Sequence, residues 1–360
     1  MHPISFIQSV ISAMRRTIVV LCAIFVGMES SAVEVPKLKL NNGREIPAIA
    51  LGTYLGFDQI FNQSVTVKPE STKQCNLILK AIDAGYRHFD TAAIYETELL
   101  IGDSVRRKIE AGDVSREDIF LTTKLWNTRH KREQVVPALR DSLTKLNLNY
   151  VDLYLMHWPM ALNDNYTLSD VDYMETWRGL EDTVRLGLAK SIGISNFNLE
   201  QLRRVIAEGT IKPAVLQIEI HIQNIQSELV NYAQSEGLVV MGYSPMGSLV
   251  ARHGITFTGP KMDHPVLVAI ASRHNKTVPQ IVFRWMIERH IIPIPKTVNV
   301  SRLKENIDVF DFTLTAEEIE QINKFDNHTR FTCPSFWQNH PYYPFEKVEN
   351  PIEDPFKNRL

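Results

Sequence analysis

Cysteine is scarce: the 360 residues contain three. Cys22 falls in the first stretch of the chain, and Cys75 and Cys333 are too few for a disulfide framework, so packing of the core must supply stability. Charge of one sign is also missing. The formal net charge is −2 with no long basic run, which leaves no electrostatic footprint for nucleic acid. No Gly/Ser-rich linker or shift in composition divides the chain. No Gly-x-Gly-x-x-Gly is present, so an open doubly wound sheet lacks its usual dinucleotide signature. A nucleophile elbow is absent as well, because Gly242-Tyr243-Ser244-Pro245 would need glycine where Met246 stands.

The apolar run from Ile18 to Met28 is too short to span a bilayer comfortably. Met14-Arg15-Arg16 precedes it and Glu29-Ser30-Ser31-Ala32 follows. A positive start, a short apolar centre and a small-residue end are the three parts of a secretory signal peptide. The residues before Met14 are unusual for such a signal, and a simple N-terminal extension is the plainer alternative. The expectation is a leader over 1–32, cleavage after Ala32, and a secreted single domain over 33–360. Sequons at Asn62, Asn165, Asn275, Asn299 and Asn327 would accept glycans on that route, making the product a glycoprotein.

With 44% apolar and 22% charged residues, the chain has the composition of a globular protein with a large core. A hairpin is expected over 37–40 and 44–46, turning at Asn42-Gly43. Beyond it, short β-rich runs at 49–53, 88–91, 119–124, 151–157, 191–195, 214–219, 239–243 and 291–295 alternate with segments of helical period. The helices are expected at 72–84, 98–110, 132–146, 171–186, 199–207, 227–235, 278–289 and 301–310, with one more at 315–325 opened by a capping box at Thr315. Eight strand–helix units close naturally into a (β/α)8 TIM barrel, whose reactive groups sit at the C-terminal strand ends. Longer inserts at 57–71 and 159–170, and an aromatic, proline-rich C-terminal loop over 330–360, should gather at that same end.

Chemistry-bearing residues stand at consecutive strand ends. Asp90 closes the second strand with Tyr95 just beyond, Lys124 closes the third, and His157 follows the fourth. Each has a plain structural explanation alone: a helix cap, packing, a solvated charge, a satisfied core histidine. Together they suit proton transfer to a carbonyl oxygen. A phenol with a pKa near 10 is a poor acid at neutral pH. An adjacent ammonium from Lys124 would lower it, Asp90 would balance that ammonium, and His157 would hold the substrate oxygen.

Leu51-Gly52-Thr53-Tyr54, Gly85-Tyr-Arg-His-Phe-Asp-Thr-Ala, Leu155-Met-His-Trp-Pro, Gly193-Ile-Ser-Asn-Phe and Ile294-Pro-Lys-Thr-Val together resemble the aldo-keto reductases, from about residue 35 onward. The resemblance implies NADPH-dependent reduction of a ketone or aldehyde, with Asp90, Tyr95, Lys124 and His157 catalytic and Tyr95 the proton donor. It places Gly52, Thr53, Ser195, Asn196 and Gln217 around the nicotinamide, with Tyr243 stacked on it. Ser244, Met246 and Ser248 fall in the pyrophosphate loop. Lys296, Thr297, Val298, Asn299, Arg302, Glu305 and Asn306 fall in the segment that grips the adenosine 2′-phosphate and adenine. Lys296 and Arg302 beside the ribose favour NADPH over NADH.

Departures from the family pattern are Thr297 for serine, Tyr54 for tryptophan, and Ile222 where proline follows His221. Tyr54, Trp126, Trp158, Phe336 and Trp337 would form an aromatic substrate mouth. The opening motif, long first loop and leader are similar to insect members, some of them secreted 3-dehydroecdysone reductases of moths. No metal is expected, and the partner is a small-molecule carbonyl bound by a monomer. Two other readings remain: a non-catalytic NADPH-binding barrel, and a barrel glycosidase using Asp90 and Glu219 as paired carboxylates.

Overall fold

The computed structural model describes residues 33–54, 70–251 and 258–356. The expected leader, and the first insert over 57–71 up to residue 69 with its Asn62 sequon, lie outside these residues; the insert's last two residues open the following helix.

A hairpin of β1 (Lys37–Lys39) and β2 (Glu45–Pro47) opens the described chain, turning through Gly43 at φ +85°. Eight parallel strands follow: β3 (Leu51–Gly52), β4 (His88–Asp90), β5 (Phe120–Leu125), β6 (Val151–Met156), β9 (Ala189–Ser195), β10 (Val215–Glu219), β11 (Val239–Tyr243) and β12 (Ile291–Ile294). Each pairs with its sequence neighbour in the set. The ring closes through two backbone bonds: Ala50 N–H donates to the Pro293 carbonyl at 3.1 Å and Gly52 N–H to the Pro295 carbonyl at 2.9 Å. Both proline nitrogens lack a proton, so these residues serve the seam as acceptors. Residues along β5, β10 and β12 are buried throughout, as parallel strands covered on both faces require.

The hairpin caps the N-terminal end of the barrel. Leu40 and Ile46 pack with Phe120, Leu153, Ala214 and Val239, which begin or lie early in their strands. Asn41 Nδ2 donates to the Pro213 carbonyl at 2.7 Å, and Asn42 Nδ2 to Ser191 Oγ at 2.9 Å. With that end filled, the opposite end is the open one.

The outer helices are α1 (Glu70–Asp83), α2 (Glu98–Glu110), α3 (Arg132–Leu146), α4 (Tyr173–Arg185), α5 (Leu199–Glu208), α6 (Ser227–Ser235), α7 (Pro265–Arg273), α8 (Val278–Glu288), α9 (Val300–Ile307) and α10 (Ala316–Asn323). All nine expected helices are present, and the expected capping box at Thr315 forms with Glu318. Two elements differ from expectation. Helix α7 precedes α8; its N-cap is His264, whose Nδ1 accepts from Val266 N–H at 3.3 Å, and histidine is outside the usual capping set. The second insert folds into a short hairpin, β7 (Ala161–Leu162) with β8 (Leu168–Ser169). Among the described residues, no helix is long and apolar enough to cross a membrane and no His/Cys/Asp/Glu group could hold a metal.

Helix α2 meets α3 through Gly102, where a Cβ would lie 2.2 Å from the Leu146 carbonyl oxygen. Backbone cannot yield as a side chain does, so Gly102→Ala should destabilise the protein by about 1–3 kcal/mol. That is a drop of several degrees in the thermal midpoint for a chain of this size. An unchanged midpoint would show that the two helices can part without cost.

Candidate active site

Asp90, Lys124 and His157 reach the open end because they stand at or just beyond the C-terminal ends of β4, β5 and β6, in register across Asp90–Thr122 and Lys124–Leu155. Tyr95 is carried there by a 3₁₀ turn, Ala93–Tyr95. The Lys124 side chain is fully buried, and its Nζ donates to Asp90 Oδ1 at 2.6 Å and to the Thr91 carbonyl at 2.9 Å. The other carboxylate oxygen of Asp90 accepts from Gln217 Nε2 at 2.8 Å. A buried pair of this kind persists only when its remaining hydrogen-bonding capacity is met, as here. Burial lowers the Lys124 ammonium pKa, and Asp90 opposes that shift.

The Tyr95 hydroxyl lies 3.4 Å from His157 Nε2. Lys124 Nζ sits 4.9 Å from the Tyr95 ring centre. The expected lowering of the phenol by Lys124 is not what the geometry gives. Exclusion of water raises the Tyr95 pKa well above its ordinary value, and the Asp90 charge adds to the rise. The ammonium donates to Asp90 and Thr91, and the Asp90 charge opposes its pull on the phenol. His157 is held well below the usual imidazole range, first by burial and then by Lys124. The site therefore presents a neutral phenol and a neutral imidazole to one point in the mouth.

Several of the residues expected to hold the cofactor sit in unusual backbone. Asn196, just after β9, and Ser244, just after β11, have φ of 62° and 54°. Such conformations cluster at ligand sites. Asn196 Nδ2 donates to the His157 carbonyl at 2.9 Å and to Ser195 Oγ at 3.2 Å, and its Oδ1 accepts from the Tyr243 hydroxyl at 2.6 Å. In the next loop Gly247 lies over His221, where a Cβ would come 2.7 Å from the ring, and Ser248 Oγ donates to the Pro260 carbonyl at 3.0 Å. Gly52 and Thr53 close the seam strand, and Thr53 Oγ1 donates to the Asp90 carbonyl at 2.9 Å.

Lys296 follows β12 and Arg302 lies in the first turn of α9. Both are exposed, and neither has an acidic partner among the described residues. Glu305 does not pair with Arg302; its carboxylate accepts from Thr277 Oγ1 at 2.7 Å. Asn299 caps α9, accepting from Ser301 N–H at 2.9 Å, and Thr297 Oγ1 accepts from Asn299 N–H at 3.0 Å. Val298 is 68% exposed and Asn306 is buried. Two cations without an acidic partner among the described residues, at a helix N-terminus, fit a phosphate well.

The five aromatic residues expected at the mouth gather there. Tyr54 lies 5.0 Å from the Tyr95 ring, and Trp126 lies 5.2 Å from His157 and 6.1 Å from Trp337. Trp158 and Phe336 belong to the same cluster. Sequence reading missed Tyr166, Tyr343, Phe345 and Phe356. Phe356 stacks on Tyr166 at 4.7 Å and on Trp337 at 5.6 Å, tying the β7–β8 hairpin to the C-terminal loop. The density of rings in the last thirty residues was the available signal. Glu219 is not a partner for Asp90: its buried carboxylate accepts from Phe331 and Thr332 N–H, anchoring the start of that loop. With Asp90 locked to Lys124 and Gln217, the paired-carboxylate reading has no acid and no base.

An eight-stranded parallel barrel with an acid, an amine, a phenol and an imidazole at its C-terminal mouth defines a class of enzyme, and the comparisons agree with it. Residues 49–327 match the model of the Aldo/keto reductase family. Aldo-keto reductase AKR2E4 of Bombyx mori is 45% identical over 313 residues, covering 87% of this chain and 99% of that protein. Aldo-keto reductase family 1 member A1 of Mus musculus is 38% identical, covering 85% and 97%. The crystal structure of AKR2E5 complexed with NADPH, an enzyme of the silkworm Bombyx mori, superposes with a TM-score of 0.85 at 42% identity, covering 90% of this chain and 98% of that one. The chain belongs to the aldo/keto reductase family, and its class is that of an NADPH-dependent oxidoreductase.

Burial also shapes the pH response. His88 and His130 are fully enclosed, which lowers each imidazole to about 3. The unfolded chain takes up protons at these positions near pH 6.5, and the folded chain does not. Their contribution to stability is therefore complete above pH 6.5 and is lost as pH falls from there toward 3. The thermal midpoint should already decline between pH 7 and pH 5, before ordinary carboxylates titrate. An equal midpoint at both pH values would contradict this.

Proposed function

We propose that the protein reduces a ketone or aldehyde to the alcohol, with Tyr95 giving its proton to the carbonyl oxygen and His157 holding that oxygen in place. The observation that carries this reading is the placement of the Tyr95 hydroxyl 3.4 Å from His157 Nε2, above the buried Lys124–Asp90 pair. Bound NADPH supplies the hydride that the carbonyl carbon accepts. Lys296 and Arg302 would hold its 2′-phosphate, with Thr297, Val298, Asn299, Glu305 and Asn306 beside it. Tyr243, Ser195, Asn196 and Gln217 would face the nicotinamide, and Ser244, Met246 and Ser248 the pyrophosphate. Tyr95 keeps its proton until negative charge grows on the substrate oxygen. Lys124, a few ångströms behind the ring, then stabilises the phenolate that results.

Tyr95→Phe should lower carbonyl reduction by about 10²–10⁴-fold while leaving NADPH affinity near normal. Turnover close to wild type, followed by loss of nicotinamide absorbance, would remove Tyr95 from the role. Arg302→Ala should weaken NADPH about 10–100-fold and leave NADH nearly unaffected, because a charge-assisted phosphate bond contributes about 1.5–3 kcal/mol. Equal losses for both cofactors would assign Arg302 to the architecture of α9 instead.

The substrate favoured by the mouth is a flat apolar ketone of the ecdysteroid type, such as 3-dehydroecdysone. Rings from Tyr54, Trp126, Trp158, Phe336 and Trp337 offer broad apolar walls beside Tyr95. A general aldehyde or sugar-carbonyl reductase is the second reading, because the same rings would pack as well against an aromatic aldehyde or a sugar-derived ketone. A panel of the three substrate types ranked by kcat/KM decides between them, together with the stereochemistry of the alcohol.

Export is the remaining element of the proposal, supported by the pattern of residues 14–32. Expressed in insect cells, the protein should appear in the medium with its N-terminus near Val33. Asn299 should carry no glycan in the folded protein, because its loop is among the segments proposed to lie against the cofactor. Cytosolic retention with an intact N-terminus would refute export.

A further inference from the structure

Beside His157, whose backbone N–H donates to the Leu125 carbonyl at 3.2 Å and whose ring lies 5.2 Å from Trp126, the turn after β5 carries polar groups that the proposed reaction leaves unused. Asn127 and His130 are 0% and 2% exposed. Among the described residues, no group hydrogen-bonds either polar atom of the Asn127 amide or either ring nitrogen of His130, and the same holds for His157 Nδ1. Buried polar atoms in folded proteins are bonded to protein or to ordered water with few exceptions. His130 also lines a polar cavity of about 80 Å³, together with Thr128, Asn163, Asp164 and Ser169. One buried water needs roughly 10–15 Å³ of such space, so several fit. The turn that carries Asn127 packs against β7, which borders the same cavity. His130, after burial and Lys124, adds to the lowering of the His157 imidazole.

A neutral imidazole has one donor nitrogen and one acceptor. With the proton on Nδ1, His157 Nε2 would accept from the Tyr95 hydroxyl and compete with the substrate for its proton. With the proton on Nε2, His157 donates toward the carbonyl oxygen, and Nδ1 then needs a donor of its own. We propose that ordered water joins Asn127 and His130 to His157 Nδ1, and that this bridge holds His157 in the Nε2–H form the substrate requires. Asn127 and His130 are then positioning residues that act through His157. The proposal rests on the role given to His157 above.

The tautomer of His157 is read directly by two-bond ¹H–¹⁵N correlation in the labelled NADPH complex, with His157→Gln used to assign its signals. The wild type should show Nε2–H. His130→Phe fills the cavity with an apolar ring, so His157 should shift to a mixture of tautomers. Its kcat should fall about 10-fold, the lower end of the range seen when a group behind a functional histidine is removed. NADPH affinity should stay constant. His130→Gln retains polar atoms and should restore both the tautomer and most of kcat. Asn127→Leu supplies the same test from the other side if His130→Phe does not fold. A His157 that stays Nε2–H with unchanged kcat in the apolar variants overturns the bridge. An active His157→Gln enzyme would instead overturn the role of His157 itself.

Discussion

The Lys124–Asp90 pair is the constraint around which the rest of the mouth is arranged. Placing an ammonium and a carboxylate inside a barrel is expensive, and the pair is supported by a further bond on each side: the Thr91 carbonyl to the ammonium, Gln217 to the carboxylate. That requirement fixes where β4, β5 and β10 must end relative to one another. The 3₁₀ turn Ala93–Tyr95 then sets the Tyr95 ring 4.9 Å from Lys124 Nζ.

Burial, more than proximity of charge, sets the protonation of this site. The phenol of Tyr95 rises because water is excluded and Asp90 is near, and the imidazoles of His157, His130 and His88 fall for want of solvation. A mouth with a neutral acid and a neutral hydrogen-bond donor at physiological pH follows from that single cause. Burial also lowers the Lys296 ammonium, which, like Arg302, has no acidic partner among the described residues and so keeps its charge for a phosphate. The interior polarity suits proton donation, and the exterior charge suits cofactor capture.

The C-terminal loop completes the enclosure by two kinds of contact. Glu219 accepts from the backbone of Phe331 and Thr332 and ties the loop to the end of β10. Further along, Phe356 stacks against Trp337 and Tyr166, and His340 Nε2 lies 2.8 Å from the Ser169 carbonyl. The loop is thus tied to β10 at its start and held against the β7–β8 hairpin further along. Its rings, with Trp126 and Trp158, form the apolar wall beside the reactive hydroxyl.

The barrel was legible in the sequence because its determinants are local and periodic. Apolar runs of strand length alternate with helical stretches, so all eight strands and the helices between them could be placed within a few residues. Asp90, Lys124 and His157 were legible for the same reason: a strand end is a position in sequence as well as in space. Helix α7 was not, since its cap is a histidine, and the β7–β8 hairpin was not, since its strands are two residues long. Tertiary structure alone decided the closure of β3 on β12 and the engagement of Glu219 with the C-terminal loop. It also decided the three-ring stack around Phe356 and the upward shift of Tyr95. Each depends on groups far apart in the chain being brought together and dried. Solvent exclusion is a property of the assembled interior, and no stretch of sequence carries it.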